Sequence, residues 1–348
     1  MPPRRRDPGL PWVALAFAAS AVACAWTVIP RTVTAGKPVP LGNAGSTPHD
    51  IRRVAGAWIW IERPDKKPAR LMRTTAGESP TMVSEAEAIA AYDTNGKVLV
   101  WSQRTGQTWS VLRTGENGTE PKVLWSGAGE PGGLKIDNDT VVWTHRNDPK
   151  VPGADIFPAL SGSVSVQACP LAGGAVRQVT ELPEPGPAQV LGRDGDQYWV
   201  ASMRQPAPGS TGLWKVPAQG GTAVRFHSAQ GMHQPLQVAD GTVWTTEPSR
   251  ESAPPIASLV LVGFGKDGKR NPVADWLPAS GRVYDAGNGV LFGDRENPST
   301  LWRARGPELL PEALPVPDGT EALAAGEGFF MVRKWTGSGL ELAEVRIP

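Results

Sequence analysis

GLWKVPAQGGTAVRF, at residues 212–226, contains two short apolar phrases on either side of a glycine pair. In the second phrase, TAVRF, large or β-branched residues alternate with small or basic ones, which is typical of a half-buried strand. Gly220 and Gly221 can supply the positive φ angles that a tight hairpin turn needs. The stretch therefore predicts two adjacent antiparallel strands.

This pattern recurs along the rest of the chain. Seven units each begin with a turn residue and continue into an apolar strand that carries Trp, or Phe in the last two units. These phrases are Gly56-AWIW, Gly96-KVLVW, Asn138-DTVVW, Gly195-DQYW, Gly241-TVW, Gly289-VLF and Gly328-FF. They are 39–57 residues apart, and further strand-like phrases follow each of them. Four short strands repeated at this spacing are typical of β-propeller blades.

We therefore predict an all-β fold, a single propeller of seven four-stranded blades over residues 50–348. Six blades is the alternative, because the third unit is stretched to 57 residues and the last stops one strand short. Residues 31–49 form a linker, of which 31–41 (RTVTAGKPVPL) can supply the missing outer strand and remove an open sheet edge. Because neighbouring blades must cover each other, we expect the repeated Trp rings to pack between sheets.

The N-terminal segment, residues 1–30, has the pattern of a membrane anchor. Arg4, Arg5 and Arg6 precede an uncharged run at 10–29, which is long enough to span the hydrocarbon layer as a helix. The positive-inside rule then leaves the N-terminus in the cytoplasm and exports the propeller. We expect a single-pass protein of the cell membrane with an extracytoplasmic C-terminal domain. A cleaved signal peptide, which would give a secreted or periplasmic protein, and a lipidated Cys24 are the alternatives.

Composition excludes several classes of protein. The chain has 40 Gly and 35 Pro among 348 residues, which argues against a helical bundle or a coiled coil. Its 35 basic and 34 acidic side chains give a net charge of +1, so we expect no nucleic acid partner. Cys24 lies in the apolar run, which leaves Cys169 without a partner for a disulfide.

Sequence motifs for chemistry are absent. The chain has no Gly-x-Ser-x-Gly phrase, no Asp-x-Asp-x-Asp-Gly loop and no Gly-rich phosphate loop. Four His are present, and the nearest pair, His227 and His233, lies six residues apart, which is a poor zinc pattern. We therefore expect no cofactor, no metal site and no catalytic residue.

The repeat style of residues 50–348 resembles that of TolB-like periplasmic β-propellers. GLWKVPAQGGTAVRF carries their cadence: a strand with a basic residue, a Gly-Gly turn, then a strand alternating apolar and basic positions. VWTH at 142–145 and VWTT at 243–246 are similar to the repeats of YWTD propellers. The resemblance implies a propeller fold and binding behaviour. Because it is a resemblance of repeat style, it carries over no catalytic residue, and the TolB-like Ser-Pro-Asp-Gly turn is not matched.

Candidate ligand-binding residues follow from propeller geometry, in which function usually lies in the central channel and on the loop face. The channel candidates lie in or beside innermost strand phrases, and they are Arg52, Arg53, His233, Gln234, Arg282 and Glu321. An arginine-rich channel mouth can hold an anionic ligand, whereas structural salt bridges are the plainer interpretation. The loop-face candidates are His145, Arg146, Asp148 and Arg295.

Two functions remain. The first is a membrane-anchored module that binds a protein or an envelope ligand through the loop face and needs no catalytic group. The second is a propeller enzyme, a lyase, a lactonase-like hydrolase or a glycosidase, with an active site built from several blades at the channel mouth. The missing motifs favour the binding module.

Overall fold

A computed structural model of the protein describes residues 35–115, 120–146, 163–183, 186–204, 210–230, 233–237, 242–248, 259–273, 279–286, 289–294, 299–305, 311–337 and 339–348. These residues form strands and turns, and none of them is helical. The helix expected at 10–29 lies outside these ranges. Within the ranges, no helix capable of crossing a membrane is found.

The strands follow one another in groups of four, after a first strand that joins the last group. Strand β1 is Val39–Ala44. Blades 1 to 4 are, in chain order, β2 (Pro48–Val54), β3 (Ala57–Glu62), β4 (Ala69–Thr75) and β5 (Thr81–Ala86); β6 (Ala88–Thr94), β7 (Val98–Thr105), β8 (Thr108–Gly115) and β9 (Lys122–Gly127); β10 (Glu130–Asp137), β11 (Thr140–Arg146), β12 (Val164–Pro170) and β13 (Arg177–Leu182); β14 (Ala188–Asp194), β15 (Gln197–Arg204), β16 (Ser210–Pro217) and β17 (Val224–Gln230). Blades 5 to 7 are β18 (His233–Gln237), β19 (Val243–Pro248), β20 (Leu259–Phe264) and β21 (Arg270–Val273); β22 (Ala279–Asp285), β23 (Val290–Asp294), β24 (Thr300–Ala304) and β25 (Glu312–Pro315); β26 (Glu321–Gly326), β27 (Phe329–Thr336) and β28 (Gly339–Arg346).

The prediction of seven four-stranded blades is confirmed. The third unit forms a complete sheet, β10-β11-β12-β13, so its greater length does not reduce the number of blades. Blades 5 and 6 are joined into one larger sheet by the pairing of Leu259 with Ala279. Every innermost strand has an irregular register with its neighbour, as at His49/Arg52 and Gly132/Lys135. Bulges of this kind bend a strand and increase its twist.

Strand β1 completes blade 7. It pairs antiparallel with β28, with Val39 opposite Glu344 and Ala44 opposite Leu340. The sequence placed this outer strand at 31–41, whereas the structure has it at Val39–Ala44. The register shifts at Gly42, whose φ of +96° favours glycine. The first described strand of the chain thus covers the edge of the last one.

Seven buried hydrophobic clusters stabilise the ring, and two neighbouring blades share each of them. Trp143 of blade 3 packs with Val111 of blade 2, and Trp199 of blade 4 packs with Phe264 of blade 5. The seam between blades 7 and 1 contains Trp58 with residues of both blades and of β1. The remaining seams are built in the same way. The repeated Trp rings therefore hold the blades together.

Candidate functional site

The seven blades define two ends of the central channel. Turns between the first and second strands, and between the third and fourth, lie at one end, which we call the hairpin end. The second strand of each blade ends, and its third strand begins, at the opposite end, which we call the loop end, and the first strand of each blade also begins there. The innermost strands β2, β6, β10, β14, β18, β22 and β26 run from the loop end to the hairpin end.

Charged side chains from different blades meet at the hairpin end of the channel. Asp93 on β6 accepts a hydrogen bond from the Nη1 of Arg52 on β2, and the Nζ of Lys135 on β10 lies 4.0 Å from the Oδ1 of Asp93. The second carboxylate oxygen of Asp93 accepts from the backbone N–H of Ile136 at 2.7 Å. Asp285 on β22 acts electrostatically on both cations. Arg52, Asp93, Lys135 and Asp285 form what we call the channel cluster.

Burial and charge control protonation in the channel cluster. Burial and the positive charge of Arg52 lower the pKa of Lys135 to about 8, while Asp93 and Asp285 act in the opposite direction. Burial alone would lower the pKa of Arg52, but Asp93 and the other acidic neighbours raise it above its ordinary value. The cluster therefore contains a permanently charged guanidinium beside an amine that loses its proton far more readily than an exposed lysine.

The channel cluster belongs to a series of ion pairs that link successive blades at the hairpin end. The pairs are Arg53–Glu327 at 3.0 Å, Arg52–Asp93, Lys135–Asp93 at 4.0 Å, Arg193–Asp137 at 2.7 Å and Lys266–Asp194 at 3.4 Å. They join blade 7 to blade 1 and then each blade to the next as far as blade 5. Tyr198 adds a hydrogen bond to Asp137 at 3.0 Å, and burial raises its pKa to about 12. This end of the channel is held by charge as well as by packing.

Of the six channel candidates, the structure brings Arg52 into the cluster and places Arg53 in the seam between blades 7 and 1. The guanidinium of Arg53 donates to Glu344 at 3.3 Å and lies 3.9 Å from the centre of the Phe329 ring. Glu321 begins β26 at the loop end and pairs with Arg333 at 2.7 Å. Arg52 and Glu321 therefore lie at opposite ends of the channel.

The other three channel candidates are placed by their strands alone. His233 and Gln234 begin β18 at the loop end, and Arg282 lies in the middle of β22. Their strand positions are those of innermost strands, as the sequence indicates. Ligand binding by these residues stays a prediction.

Two of the loop-face candidates, His145 and Arg146, end strand β11 at the loop end. His145 is buried, and its ring lies edge-on to Trp125 at 5.0 Å between centres. Arg146 donates to Glu130 at 2.8 Å. The contact with Trp125 places His145 in the seam between blades 2 and 3. Asp148 and Arg295 lie outside the described residues.

Sequence reasoning missed Asp93, Lys135, Asp285 and Trp335. The first three occupy the same part of an innermost strand as Arg52, close to the turn that follows, and aligning the units on their turn residues would have found them. Trp335 lies near the end of β27, well after the aromatic pair that marks the seventh unit. The sequence signal that could have found Trp335 is its place outside the position at which Trp or Phe recurs in each unit.

No metal-binding arrangement is seen among the described residues, where no three His, Cys, Asp or Glu side chains come together. Cys169 is a buried free thiol, and burial raises its pKa. It packs in the seam between blades 2 and 3.

The chain matches no protein-family model and no curated protein sequence. Solved structures are similar in fold. TolB from Acinetobacter baumannii is 14% identical with a TM-score of 0.50, and the match covers 84% of this chain and 65% of TolB. An oligogalacturonate lyase in complex with manganese is 11% identical with a TM-score of 0.61, over 91% of this chain and 99% of the lyase.

A third similar structure is an acylaminoacyl peptidase from Pyrococcus horikoshii. It is 12% identical with a TM-score of 0.60, over 85% of this chain and 50% of the peptidase. This chain therefore spans about two thirds of TolB and half of the peptidase. These proteins have different activities, so the likeness extends to fold and not to function. By fold, the chain is a seven-bladed β-propeller that resembles TolB.

Proposed function

We propose that this protein is a membrane-anchored extracytoplasmic β-propeller that binds a protein partner through its loop end. Residues 10–29 provide the anchor, and Trp335 is the centre of the binding surface. Binding of this kind needs no catalytic group, in keeping with the lack of catalytic motifs in the sequence.

The exposure of Trp335 carries the proposal. Its side chain is 66% exposed, and no other aromatic side chain among the described residues is exposed to a comparable degree. Trp is over-represented among the residues that dominate binding energy, because its rigid ring buries a large area at a small entropic cost. The Trp rings of the seams, such as Trp58 and Trp143, are buried and have a structural role. Trp335 has no such role.

The surroundings of Trp335 resemble the rim of an interface. Arg333 lies two residues before Trp335 on β27, so the two side chains face the same side of the sheet, and Glu321 lies opposite Arg333 on the adjacent strand β26. Arg333 is held by its ion pair with Glu321. An aromatic centre with a charged rim is the usual composition of a protein-binding patch.

The path of the chain supports the orientation that this function needs. The backbone N–H of Gly36 donates to the carbonyl of Arg346 at 3.0 Å, and Arg346 ends β28 at the hairpin end. Seven residue steps separate Ile29, the last residue of the uncharged run, from Gly36, and a chain of that length reaches about 25 Å at most. An anchor at 10–29 would therefore hold the hairpin end close to the membrane and direct Trp335 away from it.

A propeller enzyme is the second candidate. The channel cluster favours it, because charged groups from four blades converge there and one of them is an amine with a lowered pKa. An oligogalacturonate lyase shares the fold, although not the sequence. Substrate turnover that survives Trp335→Ala and is lost in Lys135→Met would favour the enzyme.

Site-specific photo-crosslinking in intact envelopes tests the binding function. A photoreactive phenylalanine analogue replaces Trp335 in one full-length variant and Val224, a similarly exposed residue of outer strand β17, in a second. We expect a discrete protein adduct from position 335 and none from position 224. Excess purified wild-type protein should compete the adduct away, and the Trp335→Ala protein should not. Equal adducts from both positions, or an adduct that resists competition, would overturn the proposal.

A further inference from the structure

We propose that the outer edge of blades 7, 1 and 2 at the hairpin end docks on the surface of a bilayer that contains anionic lipids. This inference rests on the proposed function, because it takes residues 10–29 as the anchor. It adds a second contact with the bilayer, made by the propeller itself beside the chain segment that leads from the anchor.

Exposed apolar side chains are concentrated at the hairpin end. Val39, Met82, Val123 and Val224 are 44–60% exposed, and each is the first or second residue of the outermost strand of its blade. That strand begins at the hairpin end, so all four side chains lie there. Outermost strands usually carry charged side chains, because an apolar edge promotes aggregation. An apolar edge of this kind indicates a surface that another surface covers.

Two of these side chains flank the outer mouth of the seam between blades 7 and 1. Val39 lies opposite Glu344, whose carboxylate accepts a hydrogen bond from the indole N–H of Trp58 of blade 1 at 2.8 Å. Val39 therefore faces blade 1. Met82 of blade 1 lies opposite Met72, which packs against the same seam, so Met82 faces blade 7.

Basic side chains surround these apolar ones. We call the hairpin-end part of the two outer strands of blades 7, 1 and 2 the tether edge. Its basic residues are Lys37, Arg73, Arg113, Lys122 and Arg346. Within the described part of this edge, the exposed acidic residues are Glu78 and Glu120. An excess of basic side chains at a surface favours contact with anionic lipids.

Two cations of the tether edge lie directly opposite each other. Arg113 on β8 pairs with Lys122 on β9, and like charges at opposite positions of an antiparallel pair destabilise a sheet. The residue after Lys122, Val123, is 60% exposed. An anionic headgroup would neutralise the two cations while Val123 enters the apolar boundary of the bilayer. The arrangement is therefore unfavourable in water and favourable on a lipid surface.

The chain from the anchor reaches the propeller at this edge. The N–H of Gly36 donates to the carbonyl of Arg346, and Lys37 and Val39 follow directly. The seven residue steps between Ile29 and Gly36 reach about 25 Å at most. The bilayer that holds the anchor is therefore the nearest surface that can cover the tether edge.

Blade 4, on the other side of the ring, provides a comparison. Val224 begins its outermost strand and is as exposed as Val123. The cations beside it lie against aromatic rings of the protein: the Nζ of Lys215 is 5.0 Å from the centre of the Trp199 ring, and the Cζ of Arg225 is 5.6 Å from that of Trp214. We therefore expect Val224 to stay in water when Met82 contacts lipid.

Quenching by spin-labelled lipids tests the docking. The dye NBD, whose emission depends on polarity, is attached to Met82→Cys or to Val224→Cys in the full-length protein, in a Cys24→Ser background where Cys169 is buried. The protein is reconstituted into vesicles of phosphatidylcholine and phosphatidylglycerol with nitroxide groups near the headgroup end of the acyl chains. We expect a blue-shifted emission and at least about twofold stronger quenching at position 82 than at position 224. Equal quenching at the two positions would overturn the inference.

A charge reversal tests the role of the anionic headgroup. Lys122→Glu should reduce the quenching at position 82 several-fold, because basic side chains near an anionic surface add to its attraction. It also gives Arg113 an acidic partner, so the blade should remain folded. Lys269→Glu, at an exposed position in the hairpin-end turn of blade 5, is the matched control and should leave the quenching unchanged. An equal effect of both variants, or quenching that persists in vesicles of phosphatidylcholine alone, would contradict the assignment.

The outcomes separate this inference from the proposed function. If the protein stays in the vesicles and position 82 is not quenched, the docking is wrong and the anchor stands. A blue shift at position 82 that grows with protein density and resists the nitroxide would indicate a second copy of the chain on this edge, and would also overturn the docking. A protein that is not retained by the vesicles would contradict the anchor and, with it, both proposals.

Discussion

Arg53 and Glu327 are 274 residues apart in the chain, and the Nη1 of Arg53 lies 3.0 Å from the Oε2 of Glu327. The same carboxylate accepts hydrogen bonds from the backbone N–H groups of Ala55 at 2.8 Å and Gly56 at 3.1 Å. Ala55 and Gly56 form the first turn of blade 1, and both have positive φ angles. A turn residue of blade 7 therefore fixes a turn of blade 1 and helps to close the ring.

Replacement of Glu327 should weaken this closure. Glu327→Ala removes the partner of Arg53 and of two backbone donors, so we expect the free energy of unfolding in urea to fall by about 1–2 kcal/mol. Glu85→Ala is the matched control, because it breaks a 2.8 Å pair with Arg70 that lies within one blade and is exposed. That change should cost less than about 1 kcal/mol. A larger loss of unfolding free energy in Glu85→Ala than in Glu327→Ala would contradict the role of Glu327 in holding blades 7 and 1 together.

Truncation of a tryptophan that packs between two blades should lower the free energy of unfolding far more. Trp143 and Trp244 are at most 2% exposed, so Trp143→Ala or Trp244→Ala leaves a cavity between two sheets and should lower the free energy of unfolding by about 3–5 kcal/mol. Trp335→Ala, at an exposed site, should change it by less than about 0.5 kcal/mol. Denaturant midpoints that do not move in the first two variants would show that these rings do not hold the blades together.

Acid should weaken the contact between blades 4 and 5 through Glu247. This carboxylate is buried, which by itself would raise its pKa, but hydrogen bonds from His227 at 2.7 Å and Arg270 at 3.0 Å lower the pKa overall. A carboxyl with a lower pKa in the folded state stabilises the fold above its unfolded pKa and loses that effect as the pH falls through the folded value. The stability difference between wild type and Glu247→Gln should therefore be largest near pH 7 and shrink below about pH 4.

The measurement is a series of urea unfolding curves between pH 3 and pH 7. Glu341→Gln, at an exposed position, should show a smaller difference from wild type at pH 7. A Glu247→Gln difference that stays constant down to pH 3 would mean that the His227 and Arg270 contacts do not stabilise the carboxylate.

A rise in pH above 8 should increase the stability of the protein through Lys135. The folded pKa of about 8 lies below the value of about 10.4 for an unfolded lysine, so the unfolded chain binds more protons between these values. The free energy of unfolding contributed by this group should therefore rise with pH from about 8 to about 10. Lys135→Met should be more stable than wild type at pH 7, and this advantage should decrease by pH 10. An advantage that does not change with pH would contradict the environment described for the amine.

The blades could be predicted from the sequence because each one repeats the same local chemistry. Gly56, Gly96 and Gly195 precede strands in which a large ring alternates with smaller residues, and both features depend on neighbours in the chain. The position of β1 was harder to predict. Its pairing with β28 joins residues some 300 positions apart, and the bulge at Gly42 has no signature in the local pattern.

The channel cluster could be found in part. Arg52 was selected because it lies in an innermost phrase, but Asp93, Lys135 and Asp285 resemble ordinary charged residues beside turns. Their meeting depends on the ring, which brings equivalent positions of different blades to one end of the channel. The loops between blades vary in length, so this equivalence is not apparent from spacing alone.

The distance of each end of the propeller from the membrane tests the account most directly. Lys97 lies at the hairpin end and Lys334 near the loop end, and both are exposed. A donor dye is attached to Lys97→Cys or to Lys334→Cys in the full-length protein, in a Cys24→Ser background where the remaining Cys169 is buried. With acceptor dyes in the lipid of reconstituted vesicles, we expect stronger energy transfer from position 97 than from position 334. Equal transfer, stronger transfer from position 334, or none from either would contradict a propeller tethered by its hairpin end with Trp335 facing away from the membrane.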